Sequence, residues 1–152
     1  MSTKQQIEQD LKKAMLSGDK ALVSVLRGLK SSILNVEIAQ GSREQGLSED
    51  IVLDVLAKES KKRQESADLY AQAGDLDRQK AELSEKASID IYLPAQMTDE
   101  ELATIIDNVA QQAGGLSKQN MGQIIGKVKQ QTAGKADGAR IAKAVKERVD
   151  TQ

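Results

Sequence analysis

Apolar residues in this 152-residue chain recur at three- and four-residue spacing nearly from end to end, and proline occurs only once, as Pro94. That spacing places apolar side chains on one side of an α-helix, and no useful run of strand-like alternation competes with it. Ile7, Leu11, Ala14 and Met15 mark a first helix that stops at Ser17-Gly18-Asp19. Leu22, Val25, Leu26, Leu29, Ile33 and Val36 mark a long second one. Residues 41–48 are polar, carry two glycines and read as a loop. Ser48 is then the expected N-cap of a third helix, with Glu49 and Asp50 suited to its positive end. That helix begins apolar at Ile51, Val52, Val55 and Leu56 and turns polar from Lys58 to Gln64, so its far part should project beyond its packing partners, with Tyr70 as an anchor. Gly74 is its natural stop, and Asp75 opens a fourth helix with Leu76, Leu83, Ala87 and Ile91 as the apolar set. The short turn predicts antiparallel packing of these two.

Pro94 disfavours helix at Leu93 and marks the expected domain boundary. Beyond it, Thr98-Asp99-Glu100-Glu101 has the form of a capping box, followed by Leu102, Ile105, Ile106 and Val109. Gly114-Gly115 ends that helix, and Ser117 is the expected cap of the next, which buries Met121, Ile124, Ile125 and Val128. Asp137 should cap the last, which buries Ile141, Ala142, Val145 and Val149. The expectation is an all-α protein of about seven helices: an N-terminal bundle of helical hairpins over residues 1–93 and a C-terminal three-helix domain over residues 94–152.

Composition narrows the chemistry. With no Cys and no His, the chain can build no disulfide or thiolate metal site, and no imidazole can act as base or ligand. Two tyrosines are the only aromatics, so the core must be aliphatic and a base-stacking platform for single-stranded RNA cannot be assembled. No apolar run approaches the ~20 residues of a membrane span, and the N-terminus lacks the apolar stretch of a secretory signal. A cytoplasmic protein is expected.

Charge is uneven. From Lys118 to Arg148 there are eight basic side chains against Asp137 and Glu147, a local +6 in a chain of net charge −1. This points to binding of a polyanion rather than bond-making. Lys127, Lys129, Lys135, Arg140, Lys143 and Lys146 are the candidate ligands. The Gly134-to-Gly138 loop precedes a helix whose free amides could hold a phosphate, but it lacks the Walker spacing, and an Asp137 cap would occupy those amides. Gly122-x-x-x-Gly126 reads most plainly as tight helix packing; glycines facing an RNA backbone are the sharper alternative. Lys58, Lys61, Lys62 and Arg63 form a second basic cluster, offset by Glu59 and Glu65 and read as a solvated face. Ser17-x-x-Lys20 has nucleophile–base spacing but sits on a glycine turn without companion motifs. Asp99, Glu100 and Glu101 are explained by capping rather than as a metal cluster. No catalytic residue, metal or cofactor is expected.

The segment Met121 to Val145, with its GKADG loop at 134–138, resembles the C-terminal motif of the GatB/YqeY family. Tyr92-Leu93-Pro94 and the stretches 25–38 and 56–74 fall in the order of its standalone YqeY-like members, so the likeness spans the chain. Ala139 departs from the lysine that the family pattern leads one to expect. The family also includes the tail domain of the B subunit of tRNA-dependent amidotransferases, glutamine-dependent carbon–nitrogen ligases. The resemblance maps to that noncatalytic tail and implies binding of tRNA or another structured RNA, without DNA specificity. It leaves two other roles open: an accessory component of such an amidotransferase or of tRNA synthesis, and a protein–protein adaptor.

Overall fold

Short capped turns at Gly18-Asp19 and Gly74-Asp75 join two pairs of helices, and longer connections join the rest. The computed structural model describes residues 1–151. Seven helices run in order: α1 (Thr3–Ser17), α2 (Lys20–Ala39), α3 (Glu49–Gln72), α4 (Leu76–Asp90), α5 (Asp99–Gln112), α6 (Met121–Thr132) and α7 (Gly138–Asp150). Among the described residues there is no strand, and the protein is all-α. The contacts divide it into two compact units, Met1–Leu93 and Pro94–Gln152.

In the first unit α1 ends on Gly18, whose φ of 74° is left-handed, and the Asp19 side chain at once accepts from the Leu22 amide to start α2. Ile7, Leu11, Ala14, Leu26, Leu29, Ile33, Val52, Val55, Leu56 and Ile89 form the core. Each of the Val, Leu and Ile side chains among them contributes roughly 1.5–3 kcal/mol through burial. One charged group is buried among them: Glu37, 2% exposed, is met by the Lys4 ammonium at 2.7 Å.

Several expectations are corrected here. Met15 is 53% exposed rather than part of the α1 core face. The apolar set expected for α4 faces outward: Leu76, Leu83, Ala87 and Ile91 are exposed, and Ile89 is the buried one. The seam between α3 and α4 is polar instead. Arg63 of α3 lies between Glu82 at 3.3 Å and Glu85 at 3.2 Å, so the glutamate side of α4 turns toward α3. Buried Ser60 and Lys86 both bond Asp90 at 2.5 Å and extend this polar seam. Ser48 stands at the start of α3 but its side chain makes no cap bond; the Glu49 carboxylate instead accepts from the Thr3 amide at 3.1 Å, tying α3 to the start of α1.

The unit closes with Tyr92 and Leu93, which pack against its core. The Tyr92 hydroxyl donates to Asp10 Oδ2 at 2.5 Å. Burial, then this hydrogen bond, then the Asp10 charge, raise the phenol far above its ordinary value. The folded state therefore holds the Tyr92 proton more tightly than the unfolded chain does. Its stabilising effect is complete below about pH 10 and is lost progressively above it. Tyr92→Phe should lower stability by about 1 kcal/mol at neutral pH and make its decline above pH 10 less steep. Urea unfolding at several pH values checks both; an unchanged alkaline slope would rule out this role for Tyr92.

The second unit is a three-helix arrangement around Leu102, Ile106, Val109, Leu116, Ile124, Val128, Ala136, Ile141, Val145 and Val149. Met121, Ile125 and Ala142, expected in the core, are only half-buried. Thr98 and Glu101 form the expected capping box. Ser117 does not cap α6. Its amide donates to Asn120 Oδ1 at 2.8 Å, and Asn120 Nδ2 reaches the Gly115 carbonyl at 2.7 Å, so the pair builds a turn ahead of the helix.

Candidate nucleic-acid interface

The connection from α6 to α7 carries the candidate residues, and its backbone is committed internally. The Lys135 amide donates to the Thr132 carbonyl at 2.9 Å, and the Lys135 carbonyl accepts from the Met97 amide at 2.8 Å. Asp137 accepts from the Arg140 amide at 2.7 Å, closing that position at the start of α7. A side chain at Gly134, where φ is 82°, would stand 3.7 Å from Pro94. The loop is thus a braced turn, and a polyanion would be met by the side chains it projects.

Those side chains are mostly lysines. Lys118, Lys127, Lys129, Lys135, Lys143 and Lys146 are exposed, and among the described residues none of them enters an ion pair. The ammonium of Lys129 lies beside Gly138, 3.7 Å from where a Cβ would stand, which brings α6 charge to the start of α7. Ala139, Lys143 and Lys146 follow at helical spacing on the exposed side of α7. Lys127 sits apart from Lys129. Two residues along a helix are about 200° around it, so Lys127 projects from the other flank of α6.

The two arginines are engaged differently. Arg140 Nη2 bonds Asp99 Oδ1 at 2.6 Å, and Arg148 pairs with Asp107. Asp99 and Asp107 are eight residues apart on α5, as Arg140 and Arg148 are on α7. Eight residues rise about 12 Å on each helix, so the two pairs clamp α5 and α7 in parallel register. Sequence reasoning missed these partners; the matching interval of eight is the signal that could have found them. The pairs also change the charge account. The whole unit carries eight basic and seven acidic side chains, a net of only +1. The +6 of the 118–148 segment is a polarity within the unit, with four of the acids, Asp99, Glu100, Glu101 and Asp107, on α5.

Gly122 and Gly126 are not packing glycines. Both are exposed, and a Cβ at either would meet nothing within 4 Å. Tight packing inside this chain is therefore overturned. They precede Lys129 at i, i+4, i+7 spacing, which makes a bare strip of helix backbone leading to a lysine.

The second basic cluster stays dispersed. Arg63 is held by Glu82 and Glu85, and Lys62 by Glu59 at 3.3 Å. Ser17 donates to the Ala14 carbonyl at 3.1 Å and so serves the end of α1. Among the described residues no helix is long and apolar enough to cross a membrane.

The chain is 29% identical over 125 residues to "Altered inheritance of mitochondria protein 41, mitochondrial" of Kluyveromyces lactis, a match covering 80% of this chain and 66% of that protein. The chain therefore spans just under two thirds of that relative's length. The family model described as "Yqey-like protein" matches residues 4–149. That match runs across nearly all of both units, and the chain belongs to the YqeY-like family.

Proposed function

We propose that the protein binds structured RNA, tRNA foremost, through the exposed lysines of α6, α7 and their connecting loop, without bond-making chemistry of its own. The observation that carries this reading is the segregation of charge. Arg140 and Arg148 are matched by α5 aspartates, while Lys129, Lys135, Lys143 and Lys146 stay exposed and unmatched among the described residues. Such a surface suits a phosphate backbone, which is recognised by position and shape rather than by base edges. The resemblance to the tail of a tRNA-dependent amidotransferase subunit supports tRNA over other polyanions. Cytoplasmic residence is part of the same proposal.

The exposed glycines sharpen the test. Replacing Gly122 and Gly126 together by Ala should stabilise α6 by about 1 kcal/mol or more, because glycine is costly inside a helix and each added methyl has open space. The same double variant should bind tRNA less well if an RNA backbone lies against the bare strip. Titrating folded tRNA into the protein should shift backbone amides between Met121 and Lys146, including those of Gly122 and Lys135. Shifts confined to residues before Pro94, or none at all, would remove the α6–α7 surface as the site. A stabilised glycine variant with unchanged affinity would leave the lysines alone as the contact.

A further inference from the structure

The turn end of the α1–α2 hairpin bears a groove of about 510 Å³ that the RNA reading does not use. Its floor is Ala14, Met15 and Val23, and its rim carries Lys20 and Arg27. No acid lines it, and among the described residues neither cation is in an ion pair. Asp19, the nearest acid in sequence, spends its carboxylate on the Leu22 amide as the α2 cap. Met15 is 53% exposed, and beside it, outside the groove, Leu16 is 90% exposed. Neither Met15 nor Leu16 belongs to the apolar core of this unit, and the α1–α2 turn needs only Gly18 and Asp19 to form.

We propose that this groove docks an acidic amphipathic helix of a partner protein. Three features define the occupant. The apolar floor takes one or two aliphatic side chains. The exposed Met15 and Leu16 extend the contact past what a small molecule would cover, and a helix laid along the groove covers both. Lys20 and Arg27 lie seven residues apart on one side of α2, a rise of about 10.5 Å, which matches carboxylates two turns apart on the partner helix. Complementary charge sets the orientation, and the apolar anchors supply most of the affinity.

The probe is a labelled peptide of about 16 residues, rich in Ala and Gln, with Leu at i, i+3 and i+7 and Glu at the two positions flanking that face two turns apart. Added to the full-length protein, it should shift amides from Leu11 to Arg27 saturably. Replacing its glutamates by Gln should weaken binding about tenfold, as expected for two rim ion pairs. Lys20→Gln with Arg27→Gln should do the same, and Lys20→Glu with Arg27→Glu should weaken it more; both positions are exposed, so circular dichroism should be unchanged. Met15→Ser should weaken binding without changing its salt dependence. No shift at the groove, or equal affinity for the Gln peptide, overturns the proposal. Shifts at these residues with anionic phospholipid vesicles but not with the peptide would make it a membrane contact instead. Self-association through the same residues, in place of peptide binding, would assign the groove to a second copy. Either result also overturns it. Binding of tRNA through Lys129 and Lys135 should be indifferent to all these variants.

Discussion

Ile141→Ala should strongly destabilise the second unit and leave the first intact. Ile141 is fully buried at the centre of the α5–α7 core. Truncating such a side chain costs about 3 kcal/mol, through lost burial and the cavity left behind. A unit of roughly 58 residues has a total stability of about 3–9 kcal/mol at ordinary values per residue, so one cavity removes much of it. The sequence supplies a clean reporter. Tyr70 and Tyr92 are the chain's only aromatics and both precede Pro94, so tyrosine fluorescence follows the first unit alone while far-ultraviolet circular dichroism follows both. The variant should lose part of its helix signal at a lower temperature than the unmodified protein does and keep the tyrosine transition where it was. A single coincident transition, shifted for both probes, would mean that the units fold as one.

Reversing three lysines should have the largest effect on binding. Lys129→Glu, Lys135→Glu and Lys143→Glu together move the α6–α7 surface by six charge units. Each lost phosphate contact costs on the order of 1 kcal/mol near 0.1 M salt, and the new carboxylates add repulsion. The affinity for folded tRNA should fall about 100-fold or more, with helix content unchanged because all three side chains are exposed. Lys61→Glu with Lys62→Glu should cost much less, since Glu59 already engages Lys62. Arg140→Ala should also cost little in binding, because its guanidinium is committed to Asp99. Equal losses from the α3 and α6–α7 variants would mean that binding follows net charge rather than this surface.

Much of the fold was legible because its signals are local. Gly18, Gly74, Asp75, Thr98 and Asp137 act within a few residues of themselves, and their positions mark the turns. The α4 face and the arginine pairs depended on partners distant in sequence, whereas Ser117 and Gly122 were decided by residues close by. The spacing of Leu76, Leu83 and Ala87 marks one face of α4, but it is a more polar face, with Glu82 and Glu85 on Arg63, that meets α3. Ser117 and Asn120 compete for the start of α6, and Asn120 takes the Gly115 carbonyl. The outward aspect of Gly122 could have been read from phase, because it stands two residues, about 200°, from buried Ile124. The candidate lysines were visible as charge. That Arg140 and Arg148 are matched by Asp99 and Asp107 depends on parallel packing across 41 residues, which no local pattern encodes.

The salt dependence of tRNA binding by the unmodified protein tests the central claim most directly. If about four of the exposed lysines each meet a phosphate, the logarithm of the association constant should fall with the logarithm of salt concentration at a slope of roughly −3. Fluorescence anisotropy with folded tRNA between about 50 and 300 mM salt covers the range in which counterion release is read. A slope near −3 is the predicted result. No binding at the lowest salt, or binding with a slope shallower than about −1, would contradict recognition of RNA by this surface.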